Sequence, residues 1–163
     1  MIVKDKFINE TVEKLKNHYT IFTGNKFVRV YLFGTRIPKN DLMNMEDLLD
    51  SVQAHETASF DLNGLYEKIY SFVGVVKKIE EEILPRMKSE KDGKMKNLPP
   101  DDKILYRMTL DNIPGNLQTF YALLGELYSR TKRVDTEKNG AEAYYKSLPF
   151  FKDIEKKLFT WLT

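Results

Sequence analysis

Residues 60–87 read FDLNGLYEKIYSFVGVVKKIEEEILPRM, and this stretch decides the fold. Leu62, Leu65, Ile69, Phe72, Val76, Ile79 and Ile83 recur at spacings that alternate between three and four. Only a helix gathers such positions on one side. Tyr66, Val73 and Leu84 widen the stripe, so one neighbour cannot cover it. The spacing predicts the central helix of a small bundle over Phe60–Met87. Gly64 and Gly74 each weaken that helix by about 1 kcal/mol relative to alanine. Close packing against a bulky neighbour is the plain explanation for them, and a ligand channel is the alternative.

The same alternation extends toward the N-terminus. Ile8, Val12, Leu15, Tyr19 and Phe22 repeat at four, three, four and three, which predicts an amphipathic helix from Val3 to Tyr19 or Phe22. Gly24 then stands where a helix ends. Lys26–Gly34 carries strand-like residues, Phe27 to Phe33, between two glycines. A Gly24-Asn25 hairpin would truncate the first helix, and a lone two-stranded ribbon is marginal. A short helix or a buried connector is therefore expected, with the hairpin as the alternative. Pro38 disfavours helix at Ile37. Asn40 or Asp41 can cap a following helix whose buried side holds Leu42, Met45, Leu49 and Val52, ending near residues 55–57. Ser59 or Asp61 can cap the central helix.

Beyond Pro85, which falls near the end of the central helix, Lys88–Asp102 reads as a polar connector with Asp92-Gly93 and Leu98-Pro99-Pro100. Asp101 or Asp102 can start a new helix. Tyr106, Leu110, Ile113, Leu117, Phe120, Leu124 and Leu127 keep the alternation through Pro114-Gly115. Unbroken phase favours one kinked helix over a fresh start capped by Asn112 with Pro114 in its first turn. Arg130–Gly140 is charged and ends in Asn139-Gly140, a loop signal. Ala141–Leu162 then forms a last helix on Tyr144, Leu148, Phe151, Leu158 and Leu162. The fold class expected is all-α. It is an up-and-down bundle of about four main helices in one domain, residues 1–163, with kinked long helices and a short extra segment near residues 26–34.

Composition supports that class and excludes several functions. The chain has 163 residues, of which 42% are hydrophobic and 12% aromatic, enough to fill one core. Formal net charge is +2, and the charges intersperse as on a solvated surface. The balance gives no argument for nucleic acid or an anionic membrane. Cysteine is absent, so disulfides, thiolate metal sites and cysteine nucleophiles are excluded. Lys4, Asp5 and Lys6 interrupt any apolar leader. No apolar run approaches the roughly 20 residues of a bilayer span. The expected setting is soluble and cytoplasmic.

Catalytic and metal-binding patterns are scarce. A di-metal bundle site uses Glu-x-x-His on two helices, but leucine stands at 15 before His18 and valine at 52 before His55. His55, Glu56 and Asp61 form at most a mononuclear metal candidate, and His55 with Ser59 a weak nucleophile–base pair. A solvated helix end explains both better. Phosphate-cradling glycine motifs are missing. The reading assigns no catalytic, cofactor or metal residue and no cofactor. Two basic patches, Arg86–Lys96 and Arg130–Arg133, fall at opposite ends if the long helices form an antiparallel hairpin. They then make no continuous track for a phosphate backbone.

The last helix gives the strongest interaction signal. Phe150, Ile154 and Trp161 flank its main stripe on one side, and Tyr145 and Phe159 on the other. Together they exceed the arc one covering face needs, and tryptophan and tyrosine are frequent interface anchors. Phe150, Ile154 and Trp161 are therefore the candidate partner-binding residues. The function expected is a non-enzymatic interaction module or adaptor, with self-association as one form and an unknown protein as the other partner. The alternatives are a basic nucleic-acid-associated bundle and a small-ligand bundle with a pocket near Gly64, Gly74 or Pro114.

Overall fold

In the computed structural model, residues 1–53 and 56–162 are described, with side chains for all of these but residues 149 and 160–162. The helices are α1 (Lys6–Gly24), α2 (Lys26–Phe33), α3 (Lys39–Asp50), α4 (Leu62–Lys78), α5 (Leu84–Asn97), α6 (Pro100–Asn139), α7 (Glu142–Lys146) and α8 (Leu148–Leu162). A three-residue antiparallel ribbon pairs β1 (Ile2–Lys4) with β2 (Ser59–Asp61). The chain is an all-α bundle.

Its frame is a hairpin of two long rods. A π-helical turn, Ile79–Ile83, joins α4 to α5 without a break. The α6 rod runs for 40 residues, about 60 Å at 1.5 Å per residue. Contacts between the rods run in opposite chain directions. Tyr66 meets Asp135, Phe72 meets Phe120, and the Tyr106 hydroxyl donates to the Met87 carbonyl at 2.7 Å. The other helices alternate in direction around this hairpin. Asp5–Arg130 and Asn25–Thr109 set α1 antiparallel to α6. Asn44–Ser71 and the approach of Asp41 to Gly74 set α3 antiparallel to α4. Tyr70–Phe150 and Glu80–Lys157 set α8 parallel to α4.

The stripe that predicts the central helix is the core. Leu62, Ile69 and Val76 are fully buried, as are Ile8, Val12 and Leu15 of α1 and Ile113, Phe120 and Leu124 of α6. Asp61 caps α4 through the Gly64 amide at 3.1 Å, and Asp5 caps α1 through the Ile8 amide at 2.9 Å. Lys26–Phe33 is helical, with Asn25 as its cap, so the favoured short-helix reading holds against the hairpin. The α6 helix is continuous through Pro114, as its unbroken phase required.

Several boundaries differ from the sequence reading. The central helix does not end near Pro85, and residues 88–97 are helix rather than connector. Proline lacks an N–H, and its ring collides with the carbonyl four residues back. The π turn avoids that clash: the Leu84 amide reaches the Ile79 carbonyl, five residues back. Residues 130–139 are helix, not loop, because Asp135 is fully buried beneath α7 and the turn itself begins at Gly140. The first helix starts at Lys6 because Val3 is held in the ribbon, buried opposite Phe60. Pro38, not Asn40 or Asp41, stands at the N-cap of α3. The last segment is two helices, broken at Ser147.

A candidate interaction groove between α3, α4 and α8

Where α8 crosses α4, the surface opens into a groove of about 620 Å³. Asp41 of α3, Tyr70, Val73, Gly74 and Lys77 of α4, Glu80 and Glu81 of the π turn, and Asp153, Ile154, Lys156 and Lys157 of α8 line it. Each element enters for a reason visible in the sequence. Tyr70, Gly74 and Lys77 recur three to four residues apart, so they share one face of α4. The π turn carries the backbone past Pro85, and its glutamates Glu80 and Glu81 line the groove near α8.

Gly74 shapes the floor. A Cβ built at that position would stand 2.9 Å from an Asp41 carboxylate oxygen, closer than real side chains tolerate. The absent side chain leaves room for the carboxylate. The Ser71 hydroxyl stands near enough to Asp41 to favour its charged form, and Asn44 Nδ2 donates to Ser71 Oγ at 3.0 Å. Burial pushes the Asp41 carboxyl above its ordinary range, and the Ser71 hydroxyl offsets part of that rise. The expected close-packed neighbour of Gly74 is thus a carboxylate. Gly64 has no such neighbour: a Cβ there would meet only Asp61, its own helix cap, at ordinary contact distance.

At the π turn, Lys157 Nζ lies 2.7 Å from Glu80 and 3.7 Å from Glu81, tying α8 to α4. Behind it, the Tyr121 phenol is raised far above its usual range, first by burial and then by the charges of Glu80 and Glu81. The opposite mouth is aromatic. Tyr70 is 38% exposed and leans on Phe150, ring centroids 4.9 Å apart. Carboxylates, ammonium groups and ring faces at this spacing provide recognition chemistry: charge-assisted hydrogen bonds and stacking.

The α8 wall is held from beneath. Tyr66, Tyr128 and Tyr144 surround Phe151 at centroid separations of 4.8, 5.2 and 4.8 Å. The Tyr128 hydroxyl donates to Glu155, and burial followed by that contact drives its pKa well above the normal phenol range. Asp135 pins the turn into α7. It accepts from Tyr66 Oη at 3.2 Å, Asn139 Nδ2 at 3.0 Å, and the Ala143 and Tyr144 amides at 3.3 and 2.7 Å. Gly140 and Ala141 are both left-handed, with φ of 64° and 62°. Glycine adopts that conformation freely, and Ala141 is strained in it.

Two of the three sequence candidates fall at this groove. Ile154 lines it while being almost fully buried, so it builds the wall rather than offering a free surface. Phe150 is half-buried and backs Tyr70. The Trp161 side chain lies outside the described residues. Tyr145 is exposed and stacks edge-on with Tyr144, and Phe159 meets Tyr128. Sequence reasoning missed Asp41, taken only as a possible cap, and Tyr70 and Glu80, which it did not single out. Gly74 was the available signal, since a costly glycine inside a buried helix marks a close approach.

The other candidates resolve differently. His18 packs edge-on to Phe120 and donates from Nε2 to the Asn116 carbonyl at 3.2 Å. His55 lies outside the described residues, and its metal and nucleophile candidacies with it. Among the described residues no group of three or more metal-ligating side chains forms, and no helix is long and apolar enough to cross a membrane. The basic patches stand at opposite ends of the hairpin, on α5 and near the end of α6. Arg130, Lys132 and Arg133 are paired with Asp5, Glu155 and Glu137. No protein-family model, curated protein or solved structure matches this chain.

Proposed function

We propose that this protein is a non-enzymatic interaction module that receives a partner in the groove between α3, α4 and α8. One observation carries the reading: an open groove of about 620 Å³ combines an exposed aromatic mouth with a charged pair, Lys157 and Glu80, joined at 2.7 Å. Aromatic anchors beside ordered polar groups are what concentrate binding energy in protein interfaces. The groove also adjoins Gly74, so the small-ligand alternative shares its location.

Site-specific photocrosslinking tests the proposal. A photoreactive phenylalanine analogue replaces Tyr70 in one variant and Lys88, on the distant α5, in another. Irradiation in the native cells should give a discrete protein adduct from position 70 and none from position 88. Mass spectrometry of the adduct distinguishes a second copy of this chain from another protein. Identical patterns from the two positions, or no adduct from either, would overturn the reading.

A further inference from the structure

The groove's floor carries a carboxylate that the chain has positioned but not neutralised. Asp41 lies against Gly74, on the same α3–α4 seam as the Asn44–Ser71 hydrogen bond. Among the described residues no lysine or arginine is paired with Asp41, although Lys77 lines the same groove. The cost of this arrangement is visible twice. A glycine sits mid-helix at 74, where alanine would be favoured by about 1 kcal/mol. A carboxylate is also partly withdrawn from water without a counter-ion. Asp41 stands in the first turn of α3, where the helix dipole favours a negative charge but supplies no counter-ion.

The neighbours of Asp41 define what would complete it. Tyr70 precedes Gly74 by one helical turn, so the two share a face of α4 that borders the groove, whose lining also includes Asp41. A cation over an aromatic face gains roughly 0.5–2 kcal/mol, and a carboxylate within hydrogen-bond reach adds a charge-assisted bond. Across the groove Asp153 contributes a second negative charge from α8. Glu80 and Glu81 are already engaged by Lys157. Lys77 stands at the same groove, and it would repel a run of positive charge.

We propose that the groove binds one lysine or arginine side chain of a partner segment, its cation seated between the Asp41 carboxylate and the Tyr70 ring. The segment carries a single cation flanked by neutral or acidic residues. This assignment rests on the interaction-module reading and names the chemistry of its partner.

Titration of the isotopically labelled protein with n-butylguanidinium, n-butylammonium and n-butanol, followed by amide NMR shifts, tests it. The two cations should shift the amides of Tyr70, Val73 and Gly74 saturably, and butanol should not. Asp41→Asn, which keeps shape and removes charge, should weaken both cations at least tenfold. Tyr70→Leu should weaken them by a smaller factor with the fold intact. Equal responses to butanol and the cations, or undiminished binding by Asp41→Asn, would overturn the assignment. The two proposals fail separately. Tyr70 crosslinks that survive Asp41→Asn keep the interaction module and remove its cation site. Cation binding without any crosslinked protein keeps the site and removes the protein partner.

Discussion

Asp135→Ala should release the wall of the groove. The side chain is fully buried and accepts four hydrogen bonds, from Tyr66, Asn139 and the Ala143 and Tyr144 amides. Alanine removes all four acceptor contacts while leaving the donors in place. A lost partner for a buried donor costs about 1 kcal/mol or more, and more where the acceptor is charged. The Asn139 amide can turn toward water, so three donors carry most of the penalty. The expected loss is about 3–4 kcal/mol. For a chain of this length that lowers Tm by roughly 6–16 °C, at 2–4 °C per kcal/mol. Asp135→Asn keeps an acceptor for only one of the two amides, because Ala143 and Tyr144 reach different carboxylate oxygens, and should lose about 2–3 kcal/mol. Tyr66→Phe should lose about 1 kcal/mol, and the double variant should show non-additivity with Asp135→Ala. Urea melts give these values. Hydrogen exchange should show residues 142–154 opening well before α4. A loss below about 1 kcal/mol for Asp135→Ala, or unchanged exchange in α7 and α8, would refute the view that this carboxylate holds the wall.

Three further outcomes follow from the same structure. The Arg130 guanidinium, hydrogen-bonded at 2.8 Å, holds the Asp5 carboxyl below its ordinary range. Its contribution is therefore complete above the ordinary carboxylate range and is lost as pH falls through the lowered value; Arg130→Met should flatten the acid limb of a stability–pH curve, and an unchanged limb would contradict the pairing. Asp41 has the opposite sign, because burial raises its pKa, so its stabilisation is present at low pH and lost as pH rises. Asp41→Asn should then raise Tm at pH 7, and a fall in Tm would mean the carboxylate is structural. Pro114 withholds one backbone hydrogen bond inside continuous α6, so Pro114→Ala should stabilise by about 1–3 kcal/mol, read from a urea midpoint.

The helical frame was legible because burial repeats it. Every residue of the Leu62–Ile83 and Leu110–Leu127 stripes is buried, and phase continuity carried α6 across Pro114. What the sequence hid was short or long-range. The ribbon of Ile2–Lys4 with Ser59–Asp61 is three residues long on each side, too brief for a period of two to register. Residues 88–97 look like a connector because Met87 is the one fully buried residue described in α5. A helix lying largely in water offers no apolar stripe. Asp135 sits in a run of charges, and nothing local marks it as buried. The groove was hidden for the same reason: Asp41, Tyr70 and Asp153 are far apart in sequence, and only packing brings them together. Phe150 and Ile154 were singled out because aromatic and β-branched excess on one helix is local, and in the structure Ile154 is part of the groove's buried wall.

Gly74→Ala measures the central claim most directly, because it separates stability from binding at one atom. Alanine improves helix propensity by about 1 kcal/mol, while its Cβ would stand 2.9 Å from the Asp41 carboxylate and must displace it. The account predicts a variant at least as stable as the parent that has lost n-butylguanidinium binding. A Gly74→Ala protein that binds n-butylguanidinium as tightly as the parent would contradict it.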